Sequence, residues 1–159
     1  MQSMAEVKWG DAPLMLPAVA KVALLSGNPD GEGLYTVRLL FPANYLIPAH
    51  AHPKDKHVTV LKGTMYMGMG DKLDTRAGKA LPVGSFALTR AGVNHYAYTL
   101  EDTTILLHGV GPVDFKYVNP SDDPRDVRVN TLVPRCGTRR RLGQLDAMGA
   151  LSVGTISPR

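Results

Sequence analysis

The chain has 159 residues and a mass of 17.2 kDa, enough for one domain with a real apolar core. With 44% hydrophobic and 20% charged residues it is not a disordered chain, and its 16 glycines and 12 prolines suit short strands joined by tight turns. The net charge of +4 does not point to nucleic acid. Residues 1–120 hold eleven basic against ten acidic side chains, and most of the excess lies in residues 121–159, around Arg139, Arg140 and Arg141, with no aromatic residue to stack on a base. No apolar run approaches the roughly 20 residues that span a bilayer, so no membrane partner is expected. No signal peptide is legible from Met1 to Trp9. The expectation is a soluble protein, cytoplasmic as the sequence stands and periplasmic or secreted if a leader was removed. The single Cys136 excludes an internal disulfide framework.

Strands follow one another from about Leu14 to about Tyr117. Val22–Ser26 is the first, closed by the turn cluster Gly27-Asn28-Pro29-Asp30-Gly31. Tyr35–Phe41 alternates well and ends at Pro42, and His57–Lys62 is rich in β-formers and stops at Gly63. Thr64–Met69 comes next, then a loop over 70–79, then Ser85–Thr89, His95–Thr99 and Thr103–His108. No part of this body sustains a 3.6-residue apolar period. The fold class is all-β, a sandwich or barrel, over 1–120. Residues 121–159 read as a basic tail without aromatics, irregular, with a short helix over 142–151 weakened by Gly143 and Gly149.

All five histidines lie between positions 50 and 108. His50 and His52 stand at i and i+2, which on an extended segment turns both imidazoles to one face. Neutral imidazole is a favoured ligand of transition metals. His95 follows the turn Ala91-Gly92-Val93-Asn94 and supplies a third ring.

This arrangement resembles the cupin superfamily over about Tyr35 to Val118. The family's first motif is Gly, five residues, His-x-His, three or four residues, Glu, six residues, Gly. Its second is Gly, five residues, Pro-x-Gly, two residues, His, three residues, Asn. His50, His52 and Gly63 match the first, and Gly84, Gly92 and His95 match the second. The resemblance implies a double-stranded β-helix, or jelly-roll, barrel and a divalent transition metal (Mn, Fe, Ni, Cu or Zn) held by His50, His52 and His95. It also implies a small-molecule ligand or substrate and a homodimer.

Four positions depart from the pattern. Asn44 replaces the first Gly, Arg90 the Pro, Thr99 the Asn, and Lys56 stands at the glutamate ligand when counted back from Gly63. Lys56 shares a strand face with Val58 and Val60, so it brings a cation toward the interior where the family has an anionic ligand. His57 is the alternative fourth ligand, since the motif also allows four intervening residues, but strand phase points it to the opposite face unless a bulge intervenes. His108 ends the last long strand, either as a pocket partner that carries protons or as a plain barrel cap. Lys56 and His108 are the candidate catalytic residues. By alternation Tyr96 and Tyr98 face away from His95, toward a dimer interface, and Met65, Met67 and Met69 form a row suited to core packing.

The function expected is a metal-dependent enzyme of oxidoreductase, isomerase or lyase type. The alternatives are a cupin that binds a ligand or metal without turnover, and a structural barrel with a degenerate site. Fold alone does not choose among them.

Overall fold

The computed structural model of the chain describes residue 3 and residues 6–126. The reading of 127–159 as a tail lies outside them. Eleven strands form two antiparallel sheets: β1 (Gly10–Asp11), β2 (Lys21–Ser26), β3 (Gly33–Phe41), β4 (Leu46–Ala51), β5 (Lys56–Lys62), β6 (Met65–Met69), β7 (Lys79–Leu81), β8 (Phe86–Thr89), β9 (His95–Thr99), β10 (Thr103–Gly111) and β11 (Lys116–Tyr117). One sheet runs β1-β2-β3-β10-β5-β8 and the other β11-β4-β9-β6-β7. The second and third strands in sequence pair with each other, while β4 leaves for the opposite sheet and β5 returns. That interchange is the jelly-roll pattern expected. No helix among the described residues is long and apolar enough to cross a membrane.

Alternation decides what faces inward. In β3 the residues Tyr35, Val37, Leu39 and Phe41 are buried while Leu34, Thr36, Arg38 and Leu40 are not. In β5 the inward set is Lys56, Val58 and Val60. Ile47, Met65 and Ala97 meet these from the other sheet. Each large apolar side chain taken out of water in this way contributes roughly 1.5–3 kcal/mol.

β9 is buried on both faces. Its inner face carries His95, Ala97 and Thr99. Its outer face carries Tyr96 and Tyr98, and the chain's own loop over 70–78 covers them. Tyr98 stacks on Tyr66 at 4.9 Å and donates to the carbonyl of Thr75 at 2.6 Å. The tyrosine face is therefore not the open interface expected. The methionine row also divides: Met65 is core, Met67 packs against it, and Met69 is 66% exposed at the rim.

The turns keep backbone conformations that the motif demands. Asn44 has φ 59°, so its amide side chain replaces glycine without changing the turn. Gly63 has φ 69°, and a Cβ there would sit 2.6 Å from the carbonyl oxygen of Asp102. Gly63→Ala is expected to cost roughly 1–3 kcal/mol, read as a fall in melting temperature by circular dichroism. Gly84→Ala is expected to cost less, because a Cβ there, at φ +85, has nothing within 4 Å.

Candidate metal centre

The centre is built where β4 meets β9. Ile47 pairs with Ala97, but His50 pairs with His95, so β4 carries one extra residue between them. Pro48 lies in that interval and has no N–H to give to the ladder, which favours a local irregularity. Past it, His50 faces His95 across the strands with ring centroids 4.4 Å apart, and His52 lies 4.8 Å from His50 and 5.0 Å from His95. One ring nitrogen from each lies within 4.8 Å of the others. All three rings are buried. Phe115 stacks on His50 at 4.3 Å and meets His52 edge-on at 4.5 Å.

Each ring is oriented by a backbone carbonyl. Nδ1 of His50 lies 2.8 Å from the carbonyl of Pro48, that of His52 3.0 Å from Asp114, and that of His95 3.1 Å from Val93. A carbonyl oxygen only accepts, so Nδ1 carries the proton in each case and the lone pair is left on Nε2. Burial holds all three in the neutral form. It pushes His50 down to about 3, helped by the neighbouring His95 and His52. It pushes His52 down to about 4 against the opposing Asp114 carbonyl, and it lowers His95 as well. Three converging neutral imidazoles with fixed tautomers fit a metal ion, and this group can hold one.

The acceptor for His52 is itself held in place. Arg125 donates to the Asp114 carboxylate at 2.8 Å, to the Phe115 carbonyl at 2.8 Å and to Asp123 at 2.6 Å.

Lys56 opens β5 on the inner face and is 1% exposed. Its Nζ donates to the carbonyl of Val110 at 3.3 Å and lies 5.2 Å from the centroid of the Tyr35 ring. Gly109, opposite Lys56 on β10, leaves it room: a Cβ at 109 would stand 3.2 Å from Lys56 Cδ. Burial lowers the Lys56 pKa. Two small cavities open from it. One of about 40 Å³ is lined by His50, His52, His95, Lys56, Thr89 and Phe115 among others. A second of about 60 Å³ is shared with His52 and Lys56 and reaches Tyr35, Val113 and the N-terminal residues Pro13 and Met15.

His57 and His108 are elsewhere. They pair across β5 and β10 and stack at 4.9 Å on the outer face, with Phe86 at 5.8 Å from His57. The expected fourth ligand His57 is not in this cluster: β5 alternates regularly from Lys56 to Val60, so His57 points to the face opposite Lys56. The same alternation in β10 keeps His108 out of the pocket. Conversely, Tyr35 and Phe115 belong to the site and were not read from sequence. Tyr35 was detectable as a tyrosine in phase with the inward Val37 and Leu39, whereas Phe115 lies on an irregular loop with no pattern around it.

Neither a family model nor a curated protein matches the sequence. Solved structures do. The polyketide cyclase RemF from Streptomyces resistomycificus matches with a TM-score of 0.61 at 18% identity, over 81% of this chain and 92% of that one. An RmlC-like cupin from Shewanella frigidimarina matches at 0.53 and 17%, over 69% and 87%. KdgF from a Halomonas species matches at 0.51 and 19%, over 67% and 89%. The chain has the cupin fold. At these identities the likeness is one of architecture, within which His50 lies on β4, His52 just past its end and His95 on the neighbouring β9.

The buried neutral histidines set an acid limit on the metal-free protein. Unfolded histidine takes up a proton near pH 6.5, while His50 and His52 in the fold resist until about 3 and about 4. Between these values the unfolded state binds more protons, so stability is full above about pH 6.5 and falls as pH drops, by up to about 1.4 kcal/mol per pH unit for each group. Thermal melts from pH 7.5 to 5 are expected to show this fall, shallower in His50→Gln. A flat wild-type profile contradicts it.

Proposed function

We propose that this protein is a metal-dependent cupin enzyme acting on a small organic molecule, with a divalent transition metal (Mn, Fe, Ni, Cu or Zn) on His50, His52 and His95. The observation that carries the reading is the shared tautomer: three Nδ1 atoms engaged by carbonyls, leaving three Nε2 lone pairs in one buried place. A bound ion of this kind supplies Lewis acidity, and redox chemistry where the element permits it. The chain's own residues do the rest. The carbonyls of Pro48, Asp114 and Val93 hold the rings in register, Phe115 packs against two of them, and the apolar walls exclude water. Lys56 keeps a proton donor at Nζ beside the rings.

Lys56 favours a second reading, a cupin that binds its ligand without turnover, since a cation stands where the motif has an anionic ligand. Lys56→Glu separates the two. A rise in metal affinity and activity together marks the natural site as weakened, while loss of activity makes the lysine part of the reaction.

Elemental analysis tests the proposal directly. About one equivalent of a transition metal is expected in the wild type, and its loss in a His50→Ala/His95→Ala double variant. A wild type that stays metal-free after reconstitution overturns it.

A homodimer is part of the same proposal. Leu34, Phe86, Leu88 and Val110 are exposed on the outer face around the His57–His108 pair, an apolar patch suited to a second copy. Sedimentation is expected to give a dimer that Phe86→Arg shifts toward monomer; a monomeric wild type refutes it.

A further inference from the structure

We infer that Lys56 and Tyr35 form an anion subsite beside the three histidines, so that the molecule bound here is a small organic carboxylate. The inference rests on the reading of this pocket as the ligand site and adds the class of ligand.

Two residues that line the cavity carry polar groups buried without adequate partners among the described residues. Tyr35 is 2% exposed, and its hydroxyl has no hydrogen-bond partner among the described residues. Leaving such a donor unmade costs on the order of 1–3 kcal/mol. Lys56 is 1% exposed and pairs with no carboxylate among the described residues; its one hydrogen bond is the 3.3 Å contact to Val110. The adjoining Asp55 favours the ammonium electrostatically but makes no ion pair with it among the described residues. That carboxylate accepts from the backbone N–H of Ala91 and lines a different surface cavity, beside His57 and His108. A buried ammonium without a counter-ion is among the costlier arrangements a core can hold. Here both residues line one cavity, with Lys56 Nζ 5.2 Å from the Tyr35 ring centre.

The charge balance gives the sign of the ligand. Lys56 brings an ammonium to both cavities, and among the described residues neither is lined by an aspartate or glutamate. A divalent ion on the histidines would add to the positive charge. The site is therefore completed by an anion that enters with the ligand. Shape and lining give its kind. Two donors suit a planar carboxylate better than a phosphate, which brings more oxygens to satisfy. The remaining wall is hydrocarbon, from Val37, Leu39, Leu107 and Val113, and suits a short apolar body. The volumes of about 60 and 40 Å³ hold only a few heavy atoms while Pro13 and Met15 stay in place.

The test is calorimetric titration with butyrate and with butyramide, its neutral isostere, on the full chain in metal-free and metal-loaded forms. The wild type is expected to prefer butyrate by about tenfold or more, Lys56→Met to lose the preference, and Tyr35→Phe to reduce it several-fold. Unliganded Lys56→Met is expected to melt higher than the wild type, because an unpaired charge has been replaced by an apolar chain of similar length. If Lys56→Met does not fold, Tyr35→Phe decides by the same ratio. Equal affinity for the two probes in the wild type overturns the inference, as does butyrate binding untouched by Lys56→Met or, where that variant is unfolded, by Tyr35→Phe. A carboxylate preference in metal-free protein that Lys56→Met abolishes upholds the subsite even if no metal binds. Metal loading with no such preference leaves the metal centre standing and removes the subsite.

Discussion

The irregularity in β4 between Ile47 and His50 is the constraint on which the centre depends. Strand pairing alone, continued from Ile47 opposite Ala97, sets His50 one residue out of step with His95. Because side chains alternate with a period of two, that single residue decides whether an imidazole faces the interior or the outer surface. The extra residue lies where Pro48 has removed a ladder donor, and the Pro48 carbonyl then accepts from the His50 ring. One short segment thus interrupts the sheet, turns the first ring inward and fixes its tautomer.

Around this point the barrel holds an unusual electrostatic combination. Three rings are kept neutral by burial, and a lysine is buried beside them with no ion-paired acid among the described residues. An apolar core of this size can carry such a charge only as a cost set against its packing, since a lone buried cation weakens a fold. The surrounding geometry accommodates the lysine in detail: Gly109 clears its chain, Val110 offers a carbonyl, and the Tyr35 ring lies near its cation. These contacts hold the side chain in one place without neutralising it.

Much of this was legible from residue order, and the parts that were not have physical reasons. The period-two pattern of Tyr35–Phe41 and Val58–Val60 identifies strands and their inner faces, and it correctly sets Lys56 inward. The same rule sends His57 outward, so the ambiguity in motif spacing is resolved by strand phase. Alternation turns Tyr96 and Tyr98 away from His95, as the fold has them, but it says only which face a residue occupies. It does not say that the loop over 70–78 folds back to cover it. Closure of the pocket was illegible for a similar reason. Met15 reaches Tyr117 through a hydrogen bond spanning 102 residues, and Pro17 accepts from Tyr45. Neither contact leaves a periodic trace in the segments that make it.

Arg125 lies beyond the last strand and beyond the boundary at residue 120 that the sequence suggests. Through Asp114 and the Phe115 carbonyl it grips the loop that supplies both the acceptor for His52 and the ring stacked on His50. The barrel is therefore not a self-contained module with an optional appendage. A version shortened to its eleven strands would keep every histidine and every β-ladder, yet lose the brace on the loop whose Asp114 carbonyl orients the His52 ring. The segment following β11 belongs to the site as much as any strand does.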